Sequence, residues 1–334
     1  MSQLTPSRRL HAQHHTDRVL SVLERPSDGT GLSASWRRCL LHYNLDPERA
    51  EPPTMLSGME LRHARGYAGR LIHVADRELD RLHRLTSGLG YAVLMTDSEG
   101  VILARRVQEI DEGGCRHWQL WTGALWSEAV EGTNGVGTCL AEQRPVTVHR
   151  DQHFRSRHTK LTCTVAPLFD AGGEVAGALD ISSFRPDPEG NILPLAMAAV
   201  QETARRIEQA YFHEVFARCL ILSLPEDCAA DNAVSVPLVA LDGERRIMGA
   251  TRAARRILNL DAQQMERGVS LGDALGQLPA EPYGLAAAEK QVLAGALAAA
   301  QGNVSAAAAL LGISRATLHR KIKRLKLQRE GGFR

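Results

Sequence analysis

The sequence predicts an α+β multidomain protein, and three observations predict it. Two pairs of apolar runs, at 91–106 and 162–182, each surround turn-forming residues and read as β-hairpins. Helical periodicity flanks them, at 69–85 and 193–216. A C-terminal stretch is helical throughout, with alanine and leucine giving way to cations. Strands and helices in blocks, rather than in strict alternation, give the α+β class.

The elements follow in chain order. Residues 1–66 read as a polar, helical N-terminal arm in which His11, His14 and His15 cluster. No second ligand spacing accompanies these histidines, so a metal site is not expected there. In the next helix Leu71, Ile72, Ala75, Leu79, Leu82 and Leu85 share one face. The hairpins YAVLMTD-SEG-VILARR and TCTVAPLFD-AGGE-VAGALDIS then bracket a loop-rich middle.

That middle is chemically distinctive. Three of the four tryptophans, Trp118, Trp121 and Trp126, fall close together. His149, His153 and His158 follow, with Cys139 and Cys163 nearby. Aromatics beside convergent polar groups suit a small-molecule pocket. The candidate ligand-binding residues are Trp118, Trp126, Thr133, Asn134, His153, Phe154 and Cys163. The tryptophans read equally well as core, and Thr133 or Asn134 as a helix cap. Gly132, Gly135 and Gly137 let backbone approach closely.

Beyond the helix at 193–216, residues 236–260 read as a short hairpin and an amphipathic helix. Residues 224–231 and 276–284 read as linkers. The stretch GNVSAAAALLGISRATLHRKIKRLKLQ (302–328) follows a predicted helix at 286–301. Gly302 ends that helix, and Asn303 or Ser305 caps a second at 306–311. Gly312 and Ile313 make a turn, Ser314 is an N-cap, and a basic helix runs over 315–325. Leu318, Ile322 and Leu325 form its buried stripe. The other faces carry Arg315, Thr317, His319, Arg320, Lys321, Lys323 and Arg324. Three of the five lysines lie in this last stretch. A small-residue helix, a tight turn and a basic helix make helix-turn-helix geometry suited to the major groove of double-stranded DNA.

Composition narrows the classes. A chain of 334 residues holds two or three modest domains. Net charge is only +2, so a nucleic-acid surface must be a local patch. The N-terminus lacks the apolar region of a secretory signal, and no run is apolar enough to span a bilayer. The six cysteines form no C-x-x-C pair, which argues against a zinc knuckle or a thioredoxin-type site. Scattered cysteines suggest a reducing cytoplasm.

Residues 302–321 resemble the Fis-type helix-turn-helix, through the pattern G-N-x-[ST]-x-A-A-x-x-L-G-I-[SN]-R-x-T-L-x-[RK]-K. The resemblance implies that Ser314, Arg315 and His319 face base edges, Arg315 reading guanine. It implies that Thr317, Arg320, Lys321, Asn303 and Ser305 hold phosphates, in a homodimer on inverted half-sites. Residues 33–216 resemble the acetoin-catabolism regulators, through SWRRC, VLMTDSEG, LWSEAVEGTNGVGT, His153-Phe154, LTCTVAP and GALDIS. This implies a GAF fold that senses a small metabolite. Residues 236–260 resemble a reduced PAS segment: Asp242, Ile247, Ala253, Ala254, Ile257 and Leu258 fit, while Thr251 replaces the usual Asn.

The expected organisation is 1–66 arm, 67–216 GAF sensor, 217–278 PAS-like segment and 285–328 Fis-type helix-turn-helix. The acetoin regulators usually carry an ATPase between sensor and DNA binder. This sequence contains no Gly-Lys dipeptide, so no Walker A loop is spelled out. The expectation is a cytoplasmic regulator without catalytic residues, cofactor or metal, acting on RNA polymerase without ATP hydrolysis. Its partners would be DNA, a small-molecule effector and a second copy. The rival readings are an architectural Fis-like DNA-binding protein and a redox- or metal-sensing GAF regulator.

Overall fold

The computed structural model describes residues 6–24, 31–49, 51–186, 190–224, 235–276, 293, 297, 300, 303–310 and 313–324. The chain divides into two compact units: Met1–Ile257 with Asp261–Gly268, and Leu258–Leu260 with Val269–Arg334.

The first unit opens with α1 (Pro6–Leu20) and α2 (Gly31–Arg37), the latter running into a π-helical turn at Arg38–His42. These are not a solvated arm, as their polarity suggests. Val19, Val22, Trp36 and Cys39 form an apolar seam that is buried together with Phe154. His15 is buried too, with Nε2 3.3 Å from the Phe154 carbonyl oxygen, while His14 is exposed. Next, α3 (Gly58–Tyr67) starts at a capping box: Ser57 Oγ accepts from Glu60 N–H, and the Glu60 carboxylate accepts from Ser57 N–H. In α4 (Gly69–Thr86) Leu71, Ala75, Leu79 and Leu82 are buried. Leu85 is 65% exposed, so the stripe is narrower than its periodicity predicts.

The first hairpin is β1 (Ala92–Asp97) with β2 (Ile102–Arg106). Asp97 Oδ1 closes the turn by accepting from the backbone of Glu99 and Val101 at 3.0 and 2.9 Å. The middle segment contains α5 (Glu112–His117), α6 (Glu128–Glu131), α7 (Gly135–Glu142) and a strand, β3 (Val146–His149). The second hairpin is β4 (Thr162–Phe169) with β5 (Val175–Ser183), its turn held by Asp170 Oδ1. The sheet order is β2-β1-β5-β4-β3, and every neighbouring pair is antiparallel. The two hairpins thus join through β1 and β5, which puts β5 at the centre.

One face of this sheet packs on α4 and α8 (Leu193–Val215). Leu79, Val93, Leu179, Ile181, Val200 and Ile207 share that core. Each fully buried aliphatic there contributes about 1.5–3 kcal/mol. The opposite face is covered by the middle segment, with Leu94, Ile102, Trp126, Val136, Cys139 and Val165 in a second cluster.

After α8 come β6 (Leu220–Ser223), β7 (Leu238–Leu241) and β8 (Ile247–Ala250), in the order β6-β7-β8. Phe212 of α8 packs with Leu238 and Ala240 of β7. The expected hairpin and helix are present as β7, β8 and α9 (Arg252–Leu258). Thr251 ties their ends: its hydroxyl donates to the Val236 carbonyl at 2.7 Å and accepts from Leu238 N–H at 3.0 Å.

In the second unit three helices are described, Leu271–Gly276, Val304–Leu310 and Arg315–Arg324. The predicted helix at 286–301 lies outside the described residues except at 293, 297 and 300. Gly302, Gly312 and Leu325 also lie outside them.

Candidate functional site

Two constellations carry chemistry, one in each unit. In the C-terminal unit, Asn303 rather than Ser305 caps the Val304–Leu310 helix, its Oδ1 accepting from Ser305 and Ala306 N–H at 3.0 and 3.2 Å. Ser314 Oγ accepts from Thr317 N–H at 3.1 Å and lies 2.9 Å from Thr317 Oγ1, so it caps the basic helix. Leu293, Ala307, Ala308 and Leu318 are buried together, with Ile313 and Ile322 packed against them. Ala307 and Ala308 present only methyls, which lets the two helices close around Leu318. The core holds one face of the basic helix and leaves Arg315, His319, Arg320 and Lys323 exposed. Thr317 and Lys321 are half-buried; Asn303, Ser305 and Ser314 are exposed. Neither Arg315 nor Arg320 is in an ion pair among the described residues.

The second constellation lies on the covered face of the five-stranded sheet. A cavity of about 10 Å³, roughly the room one water needs, is walled by Leu94, Ile102, Leu120 and Val136. Trp126 and Asn134 complete the wall from the middle segment, and Cys163, Asp180 and Ser182 from the sheet. Of the expected ligand residues, the structure brings Trp126, Asn134 and Cys163 together here.

The other four sit elsewhere, each for a packing reason. Trp118 is partly buried and packs against the cluster without lining the cavity. Thr133 Oγ1 is 2.6 Å from Ser35 Oγ and 3.5 Å from Cys39 Sγ, so it faces the N-terminal helices. Phe154 is fully buried under the same helices. His153 stands behind Cys163, with Nε2 3.5 Å from Sγ and Nδ1 2.9 Å from the Arg150 carbonyl oxygen. Trp121 also packs against the cluster without lining the cavity, and the guanidiniums of Arg105 and Arg116 lie over its ring, 3.4 and 3.7 Å from the centroid.

The glycine-rich run has a local logic. Asn134 is the N-cap of α7, accepting from Gly137 N–H at 2.9 Å. Its Nδ2 donates to the carbonyls of Trp126 and Gly132 at 3.1 and 2.9 Å. A Cβ at Gly137 would overlap the backbone of Glu128. Gly132 takes a φ of +70° while Phe154 covers it. These constraints bring the W-S-E segment against the G-T-N-G-V-G-T segment. Glu128, 3% exposed, then pairs with Arg38 of the π-helical turn, Nε–Oε2 2.5 Å and Nη2–Oε1 3.0 Å. Ser35 and Thr138 also donate to Glu128. The distant motif SWRRC is therefore one physical cluster with this run.

Burial sets the protonation of the site. It drives the Asp180 carboxyl up to about 7, against the hydrogen bond from Ser182. The Cys39 and Cys115 thiols are pushed up to about 11, and those of Cys139 and Cys163 further still. His153 falls to about 4 and His158 well below its ordinary value, again by burial. Cys163 and His153 are therefore a neutral thiol beside a neutral imidazole. A reactive thiolate needs the opposite environment.

Two polar residues of this wall escaped the sequence reading: Asp180 and Ser182. Their signal was present in GALDIS, where polar residues occupy alternate positions of an otherwise apolar strand.

The comparisons agree with this architecture. Residues 70–211 match the GAF domain family, and residues 284–325 match the bacterial regulatory protein, Fis family. The acetoin catabolism regulatory protein of Cupriavidus necator is 38% identical over 227 residues, 67% of this chain and 34% of that protein. The acetoin dehydrogenase operon transcriptional activator AcoR of Bacillus subtilis is 26% identical over 228 residues, 67% of this chain and 36% of that protein. The chain thus spans about a third of the length of these relatives. The solved Escherichia coli DhaR(N)–DhaL complex aligns at 17% identity with a TM-score of 0.49, covering 73% of this chain and 80% of that one. That likeness is too distant to add to the fold.

Proposed function

From a chain that joins a GAF domain to a Fis-family helix-turn-helix and is homologous to the acetoin catabolism regulators, we propose a cytoplasmic regulator of a catabolic operon that senses a small metabolite. The GAF cavity takes the effector, and the basic helix reads an operator as part of a homodimer. The proposed domains are 1–66, 67–216, 217–278 and 285–328. The protein acts on RNA polymerase by recruitment or occlusion and hydrolyses no ATP.

The observation that carries the DNA-binding half is the basic helix: Leu318 is fully buried while Arg315, His319 and Arg320 are exposed. Exposed cations on a helix anchored from behind can enter a major groove and reach guanine edges and phosphates. The sensing half is supported by the cavity and by its wall. Asn134 lines the cavity and its neighbour Thr133 holds Ser35, so a ligand that moves the wall also moves the N-terminal helices. A ligand shifts the regulator only as far as it binds the two arrangements differently.

Genomic footprinting with and without candidate carbon sources tests the proposal. A few inverted-repeat sites beside one operon, with occupancy that responds to a carbon source, are expected. Broad, unresponsive occupancy would favour the architectural reading instead. The redox reading is disfavoured by the buried thiols of Cys39, Cys115, Cys139 and Cys163, which burial keeps neutral.

A further inference from the structure

The central strand places a carboxylate where packing alone would place an aliphatic. Along β5, Leu179 and Ile181 face the helices, while Ala178 belongs to the cluster on the opposite face. Asp180 and Ser182 follow Ala178 on that opposite face and line the cavity. Asp180 is 1% exposed. Its Oδ2 accepts from Ser182 Oγ at 2.6 Å. Its Oδ1 has no hydrogen-bond partner among the described residues. Among the described residues, no Lys, Arg or His lines the cavity to neutralise it. An unpaired acceptor at such depth costs stability, so its presence calls for an explanation.

The strong donors of the wall are all in use. Asn134 Nδ2 is held by the Trp126 and Gly132 carbonyls, and Trp126 Nε1–H by the Gln119 carbonyl at 3.1 Å. The Ser182 hydroxyl is committed to Asp180. With Asp180 ionised, the wall therefore presents acceptors and withholds donors. Resting on the reading of the GAF domain as a sensor, we propose that Asp180 anchors the effector through Oδ1, and that the effector is a small hydrogen-bond donor, a hydroxyl or ammonium compound, rather than an organic acid or a donor-free ketone.

The exclusion follows from the same geometry above the carboxyl's value of about 7, where Asp180 is ionised; protonated, Oδ1 would itself be a donor. An organic acid would set a second anion beside a buried carboxylate with no cation in the wall. A ketone would leave Oδ1 unpaired and find no free donor for its own oxygen. A hydroxyl or an ammonium group satisfies Oδ1 directly, and Ser182 Oγ keeps a lone pair for a second donor. Leu94, Ile102, Leu120, Val136 and Trp126 take the carbon skeleton. Any ligand larger than water must displace part of the wall.

A matched four-carbon series tests this on the full chain at pH 8, where Asp180 is ionised: butan-2-ol, sec-butylamine, butan-2-one and butanoate, titrated by calorimetry and by tryptophan fluorescence. The alcohol or the amine is expected to bind at least about 10-fold more tightly than the ketone and the acid. Asp180→Asn is expected to weaken the better donor by about 10- to 100-fold, the worth of a hydrogen bond to a charged acceptor. Its thermal midpoint, unchanged or higher, shows that the variant folds. The stronger of the two donors identifies the class. Ketone or acid binding as tightly as the donors, or wild-type affinity in Asp180→Asn, overturns the anchor. Operator occupancy that responds to a carbon source, with none of the four probes binding, overturns it too but leaves the sensor reading standing. An ordered water as the sole occupant of Oδ1, with neither probe binding nor carbon-source response, removes both.

Discussion

Asp180 costs the fold stability at neutral pH. Its carboxyl is raised by burial to about 7, from an ordinary value of 3.8. A raised carboxyl is protonated, and free of penalty, below its unfolded value. The penalty grows as pH rises from about 4 to about 7, reaching at most about 4 kcal/mol. Asp180→Asn removes the titration while keeping the shape. We expect its thermal midpoint to exceed the wild type clearly at pH 8 and to approach it at pH 5. Scanning calorimetry at the two pH values reads this, and an equal difference at both would contradict it. The same residue shows what the sequence hides. GALDIS is legible as a strand, and its alternation is visible. Only the sheet order reveals that the polar face of β5 is central and closed over by Trp126.

Single elements rest on a few polar attachments that spacing shows only in part. The π-helical turn at Arg38–His42 is held to α6 by the Arg38–Glu128 pair. Because Glu128 is buried, Glu128→Ala should destabilise the protein by about 3 kcal/mol. Urea unfolding followed by Trp36 fluorescence measures this; a loss below 1 kcal/mol, the ordinary worth of a surface pair, would show that the arm is held by its apolar seam alone. In the C-terminal unit, Ser314→Ala removes a cap and should cost the basic helix about 1 kcal/mol, weakening operator binding several-fold. Leu318→Ala empties the core of that unit, at about 2–5 kcal/mol. It should abolish operator binding while leaving the unfolding of the sensor unit unchanged.

The helix caps and hairpins were legible because their causes are local. Ser314, Asp97 and Asp170 each bond to backbone within four residues. The strand β3, four residues in a loop-rich run, was not, because its pairing partner Thr162–Phe169 supplies the order. The buried N-terminal seam was missed for the same reason. Trp36 and Cys39 look like isolated apolar residues until Phe154 is placed beneath them.

At the scale of the whole molecule, a net charge of +2 spreads little field, so the cations of one helix must dominate DNA affinity. Operator binding should fall steeply with added salt. Arg315→Ala should weaken it by about 1–3 kcal/mol and relax the preference for guanine at one position of each half-site. Wild-type affinity in that variant would remove the basic helix from the interface. The most direct test of the account is footprinting across the genome, with and without candidate carbon sources. The account predicts a short set of inverted-repeat sites beside a catabolic operon, whose occupancy changes with one carbon source and ceases to change in Asp180→Asn. Diffuse occupancy, indifferent to every carbon source, would contradict it.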